Sequence, residues 1–149
     1  MEKTEMNVID SRLGRREVML DKVIIFPRGL VGFERLREFT LLQIKENAPL
    51  LFLQSLENAQ LGLLVADPFA FIPNYSLTVG DAEQELLRAE KPEDIAVLVT
   101  ASIPPGKPEQ TALNLLGPIL INHRARIGLQ APQTEKGLPS KVYIGAPGR

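Results

Sequence analysis

The chain has 149 residues and a formal net charge of −1, with no cysteine, no tryptophan and one histidine. That length predicts one domain, spanning 1-149, whose core buries roughly two thirds of the unfolded surface. The lack of cysteine excludes disulfides and thiolate chemistry. The N-terminal ten residues lack the cationic and apolar regions of a signal peptide, and no apolar run approaches the roughly 20 residues of a membrane span, so the expectation is a cytoplasmic protein without a membrane contact.

In chain order, strand candidates come first, at Val18 to Leu20 and Val23 to Phe26. Arg12, Arg15 and Arg16 form the one basic cluster of this part, read as solvated arginines at a hairpin turn. Phe33 to Phe39 is expected to form a short helical turn with Phe33 and Leu36 inward and both arginines in water. Thr40 to Ile44 is a further strand, and Leu51 to Gln54 with Gln60 to Val65 reads as a hairpin through Glu57-Asn58-Ala59. One helix is well marked: Asp81 as its cap, Gln84 three residues on, and an apolar stripe of Val79, Ala82, Leu86 and Ala89 ending at Lys91-Pro92. Ile95 to Ile103 is apolar at every odd position, the period of a strand with one buried face, and Pro104 to Pro108 stops it. Ile119 to Ile121 is the last clear strand before a tail of about 131-149, partly mobile and tied down at Val142-Tyr143-Ile144. Many short strands with turns between them argue for a mainly β fold, a small antiparallel barrel-like single domain with one or two short helices.

Charge is segregated along the chain. Residues 57 to 94 hold eight carboxylates (Glu57, Asp67, Asp81, Glu83, Glu85, Glu90, Glu93, Asp94) against Arg88 and Lys91, a balance of −6. Residues 120 to 149 hold Arg124, Arg126, Lys136, Lys141 and Arg149 against Glu135, a balance of +4. If the fold keeps these segments apart the molecule is a dipole, with a negative face suited to a basic partner; the alternative is a solvated helix face.

The search for chemistry returns no catalytic constellation. The single imidazole, His123, lies between Asn122 and Arg124 after a strand and reads as a loop histidine rather than a catalytic base. With no second histidine and no cysteine, no zinc-ligand spacing exists. Gly29-Leu-Val-Gly32 lacks the residues of a phosphate loop, so its glycines are assigned to positive φ or to close approach of a strand near Phe33. Stacking aromatics in a basic groove are missing too, with 5% aromatic residues, so direct nucleic-acid binding is not expected. The expectation is a protein that is not an enzyme and holds no metal or cofactor.

Two features stand out by elimination. Phe69, Phe71 and Tyr75 lie between Pro68 and Pro73, which keeps them on a loop of largely fixed shape. Phe69 or Phe71 is expected to pack in the core, while Tyr75, apolar in body and polar at its tip, suits a rim. In Thr111 to Asn122, two amides and a Gly117-Pro118 break interrupt apolar sequence that reads as buried strand. Burying an amide without partners costs roughly 1–3 kcal/mol, so Asn114 and Asn122 must meet backbone groups, within the fold or on a partner. Asn114, centred between leucines, is expected to be structural, and Asn122 leans the same way.

These segments, taken with Phe26, Gly29, Gly32-Phe33, Phe52 to Ser55, Pro68, Pro73 and Tyr75, then Asn114-Leu115, Pro118-Ile119 and Ile121-Asn122, resemble in order and spacing the FliW family of flagellar assembly factors. The resemblance runs from about Ile9 to Gln130. It departs after Gln130, where the family usually continues into another apolar strand and this chain reads Ala131-Pro-Gln-Thr. What the resemblance implies is a cytoplasmic monomer that binds flagellin before export and, by exchange of partners, binds CsrA, the small dimeric RNA-binding repressor of flagellin translation. Placed on this chain, the acidic stretch from Asp81 to Asp94 would meet the basic repressor through Glu83, Glu85 and Glu90, and an apolar edge would take a flagellin terminal helix. Phe71, Tyr75 and Asn122 complete the candidate partner-binding residues. The alternative is a nucleotide- or flavin-binding barrel, with Asn114, Asn122 and Tyr75 in its mouth.

Overall fold

The computed structural model describes residues 6–19, 22–44, 49–133 and 139–145. Its strands are β1 (Met6–Ser11), β2 (Gly14–Met19), β3 (Ile24–Ile25), β4 (Glu38–Gln43), β5 (Leu50–Ser55), β6 (Gly62–Ala66), β7 (Ile95–Ser102), β8 (Ala112–Asn122), β9 (Ile127–Gln130) and β10 (Lys141–Tyr143), with one helix, α1 (Asp81–Leu87). β3 to β9 close into a ring, because β9 pairs with β3 on one side and with β8 on the other. Every neighbour in the ring is antiparallel except β3 and β9, which run parallel at Ile25 and Ile127. β10 adds to the first residues of β8 along the edge that β9 uses further on.

The period-2 patterns become two cores, one inside the ring and one outside. Ile24, Phe26, Phe39, Leu53, Val65, Leu98, Ile119 and Ile121 fill the interior, with Phe26 and Phe39 edge to face at 5.3 Å. The outward residues are roofed by three separate pieces. Leu13, at the turn of the β1–β2 hairpin, covers Leu42, Phe52 and Leu64. The loop after β6 covers Leu50, Ala66, Val99, Leu113 and Leu115. Leu87 of α1 covers Leu120 and Leu129. The odd residues of β7 pack under the second and third roofs while Leu98 points inward, so that strand is apolar on both faces. β1 carries no apolar alternation strong enough to mark it in the sequence.

Four local expectations are corrected. Phe33 to Phe39 is not helical: Leu30 and Phe33 form a tight turn, Phe33 is exposed, and Phe39 belongs to β4. Gly29 sits there at φ +64°, and a Cβ on it would lie 2.6 Å from the Glu34 backbone, so positive φ and close approach both require glycine. In α1, Gly80 rather than Asp81 occupies the cap position, and Gln84 donates through Nε2 to the Val79 carbonyl at 3.1 Å. The helix stops at Arg88, in the left-handed region at φ 56°, three residues before Lys91. Its fully buried residue is Leu87, outside the expected stripe; Val79, Leu86 and Ala89 of that stripe do pack against the same cluster, whereas Ala82 is exposed. Of the N-terminal arginines, Arg12 is exposed at the hairpin turn, 5.7 Å from the Phe52 ring; the side chains of Arg15 and Arg16 and the end of the Val18–Leu20 candidate lie outside the described residues.

Candidate functional site

The candidate surface is the flank built by the loop after β6, α1 and β8. β8 is a single strand with a defect. Asn114 faces Thr100 but Ile119 faces Leu98, so Leu115 to Pro118 stand against Val99 alone. Gly117 and Pro118 make that bulge, and the surroundings satisfy its polar groups one by one. Leu115 donates its N–H to Ser140 O at 3.0 Å and accepts the Tyr75 hydroxyl at 3.2 Å. Leu116 donates to Asn114 Oδ1 at 3.1 Å and accepts from Gln133 N. The Gly117 carbonyl takes Gln130 Nε2 at 2.9 Å, and the Pro118 carbonyl takes Ala131 N.

This accounting locates two predicted site residues. Tyr75 is 6% exposed, and burial raises its phenol above the ordinary value, so it is a bulge partner rather than a rim residue. The Asn114 side chain is exposed and, among the described residues, bonds only within its own turn, which corrects the expectation of a buried amide. Asn122 is the buried one, at 2% exposure. Its Nδ2 donates to Leu87 O at 2.7 Å and Arg88 O at 3.2 Å, capping the end of α1, while its Oδ1 accepts from Arg124 N and Ala125 N at 3.0 and 3.1 Å. One side chain thus joins the helix end to the turn between β8 and β9.

In the aromatic loop, Asp67 Oδ1 accepts the Phe69 N–H at 2.9 Å and opens a single 3-10 turn, Pro68–Ala70. Phe71 is half-buried against the outer core, and Phe69 is the ring left in solvent, 40% exposed and edge to face with Tyr75 at 5.6 Å. The sequence carried a signal for this. Asp67-Pro68 marks a capped turn that ends the strand and puts Phe69 on a loop.

The acidic segment meets the basic one at Arg124, so the two are not kept wholly apart as the dipole reading requires, and Arg28, from outside both, adds a second cation. Arg124 lies 3.7 Å from Glu90 and 3.5 Å from Asp94, and Arg28 lies 3.9 Å from Glu83. Burial pushes Asp94 upward, but the Lys91 N–H, Arg124 and the Glu90 backbone outweigh it and hold the carboxyl below the usual carboxylate range. Glu85 and Glu93 are exposed, and Glu90 keeps 76% of its side chain in solvent despite Arg124. His123 is exposed on the same turn, with its ring Nε2 3.1 Å from Glu93 O. Between the segment before α1 and the outer face of β7 and β8 lies an open cleft of about 320 Å³, walled by Leu77, Val79, Leu87, Ile95, Val97 and Leu120, with Glu90 and Lys91 at its edge.

Glu83, Glu85, Glu90 and Asn122 therefore belong to one flank, with Glu85 and Glu90 facing out, Glu83 half-buried beside Arg28, and Asn122 beneath the end of α1. Phe71 and Tyr75 are part of the neighbouring roof, the loop after β6. Asn114, Asn122 and Tyr75 do not share a mouth: one is outside, one is under α1, and one spans to the bulge. Among the described residues no cluster of three or more His, Asp or Glu could hold a metal ion, and no helix is long and apolar enough to cross a membrane.

Comparison with known proteins adds the lineage. The sequence model of the FliW protein family matches residues 7–144. The flagellar assembly factor FliW of Nitratidesulfovibrio vulgaris is 61% identical over 136 residues, covering 91% of this chain and 79% of that protein. The protein of the same description from Desulfovibrio desulfuricans is 55% identical over 138 residues, covering 91% and 82%. A crystal structure of the flagellar assembly factor FliW superimposes with a TM-score of 0.85 at 28% identity, over 92% of this chain and 96% of that one. Matched over nearly its whole length in sequence and in fold, this chain belongs to the FliW family.

Proposed function

We propose that this chain is a flagellar assembly factor, a cytoplasmic, monomeric and non-enzymatic protein. On this reading it binds flagellin and, when flagellin is scarce, binds a CsrA-type repressor and relieves repression of flagellin translation. Membership of a family whose named members are flagellar assembly factors carries the proposal. The flank described above supports its division of labour. The exposed Glu85 and Glu90 and the half-buried Glu83 belong to a segment with six carboxylates between Asp81 and Asp94 against Arg88 and Lys91, which suits a basic RNA-binding surface. The apolar cleft beside them and the exposed Phe69 ring suit apolar side chains of flagellin. Asn122 serves either partner indirectly, by fixing the end of α1.

The test is titration calorimetry with the partners of the same organism. Flagellin and the CsrA-type protein should each bind saturably, and flagellin in excess should release the repressor. Absence of binding by both proteins would overturn the proposal, and simultaneous tight binding of both would overturn the exchange.

A further inference from the structure

The wall of the ring is incomplete between β6 and β7. Val65 pairs with Thr100 and Ala66 with Val99, and there the ladder ends. Continuing the same register puts Pro68 opposite Val97, and proline has no N–H to give. The Pro68 carbonyl is already taken by the N–H groups of Phe71 and Ile72. β7 nevertheless continues back to Ile95, paired with β8 along its other edge.

The phase of that pairing says which groups are left over. His123 donates its N–H to Asp94 O at 3.2 Å, so Ala96 and Leu98 are the next residues to exchange bonds with β8. Ile95 and Val97 then point their backbone groups to the opposite edge. The Ile95 N–H is used by Pro92 O, which leaves the Ile95 carbonyl and both polar groups of Val97 facing the gap. The neighbouring segment does not fill it. Thr78, its middle residue, bonds by N–H and C=O to the side chain of Gln133. Ala96 shares the inward face of Leu98 and is still exposed, as expected where the wall stops.

The side chains of Ile95 and Val97 form part of the cleft floor, so one strand edge offers both hydrogen-bonding groups and an apolar slot. Buried or half-buried backbone groups require partners, and an extended chain supplies them while dropping alternate side chains into such a slot. The rim carries Glu90, 3.7 Å from Arg124, and Lys91, with Glu93 beyond them; all three rim residues are exposed, and the carboxylates of the rim outnumber its one ammonium group. We propose that this slot is a strand-addition site, which takes an extended segment of a partner protein bearing alternate apolar side chains flanked by lysine or arginine. The inference goes beyond the partners named above, since it concerns the form of the bound segment.

The probe is a short peptide alternating valine and threonine between terminal lysines, added to the full chain while amide hydrogen exchange is followed by NMR. In the free protein the Val97 amide should exchange faster than those of Ala96 and Leu98. At saturation it should slow by roughly tenfold or more, the effect of one backbone hydrogen bond. Methylating the peptide's alternate amide nitrogens, or replacing its lysines by glutamate, should weaken binding by about the same factor. The proposal is overturned if Val97 is already as protected as its neighbours, if no saturable binding occurs, or if binding leaves the Val97 amide unchanged. Binding of a helical control peptide alone would also overturn it. Each outcome stands apart from whether flagellin or a CsrA-type protein binds.

Discussion

The two halves of β8 treat the same residue type in opposite ways. Asn114 lies on the half that pairs with β10, and its amide caps a turn of its own bulge while remaining in solvent. Asn122 lies on the half that pairs with β9, and α1 roofs it completely. Sequence context alone points the other way, since Asn114 is set between leucines and Asn122 precedes His123-Arg124. What decides burial is the roof, and the roof is nonlocal. The first half is covered by residues that satisfy its backbone, the second by a helix end that needs satisfying.

The largest test of this contrast is a pair of alanine variants. Asn122→Ala strands two carbonyls at the end of α1 and two N–H groups of the following turn, and should cost on the order of 3 kcal/mol. Asn114→Ala should cost less than about 1 kcal/mol, because water replaces an exposed bond. Chemical denaturation of both reads the difference, and equal losses would show that the roof is not what separates them. Next in size, Tyr75→Phe removes the hydroxyl that serves the Leu115 carbonyl and should cost about 1 kcal/mol with the loop otherwise intact. A loss as large as that of Asn122→Ala would move the energetic weight to the bulge.

Acid distinguishes the halves in another way. The Asp94 carboxyl is held below its ordinary range in the fold, so its contribution is present above the unfolded value and is lost as pH falls through the folded one. The wild type should lose stability on acidification below the ordinary carboxylate range more steeply than Asp94→Asn does. Parallel pH profiles of the two proteins would remove Asp94 and Arg124 from the account.

The fold class was legible because the strands of the ring carry their own signals: odd-position apolarity in β7, a hairpin turn between β5 and β6, and prolines after β6 and β7. Much of the candidate flank was legible only as a list of residues. That Asp81 to Asp94 is acidic is plain in the sequence, but that Arg124 and Arg28 reach it depends on the β8–β9 turn and the loop after β3 arriving beside α1. Gln130 and Gln133, which hold the bulge and the segment before the helix, looked like ordinary polar residues at a strand end. Their role comes from partners distant in the chain. Asn122 gave a usable clue, because Asn followed by His-Arg-Ala fits a turn whose N–H groups fold back on the amide, but the two helix carbonyls on its other side left no local trace.

The smallest expected effect on stability separates folding from recognition on this flank. Glu83 and Glu90 have arginine neighbours at 3.9 and 3.7 Å, and both pairs are open to solvent, so each is worth no more than roughly 1 kcal/mol. Glu85 is exposed and makes no such pair among the described residues. Glu85→Lys should leave the denaturation midpoint nearly unchanged, and adding Glu83→Lys and Glu90→Lys should lower stability only slightly, since each new lysine then faces an arginine. Association with a basic partner depends on the summed field rather than on any one pair, and three reversals change the local charge by six. The triple variant should therefore lose CsrA-type binding by a large factor, with a weaker salt dependence, and keep flagellin binding. Equal losses toward both partners would mean that the two share the acidic face, and an unchanged affinity for the repressor would move its site away from α1 altogether.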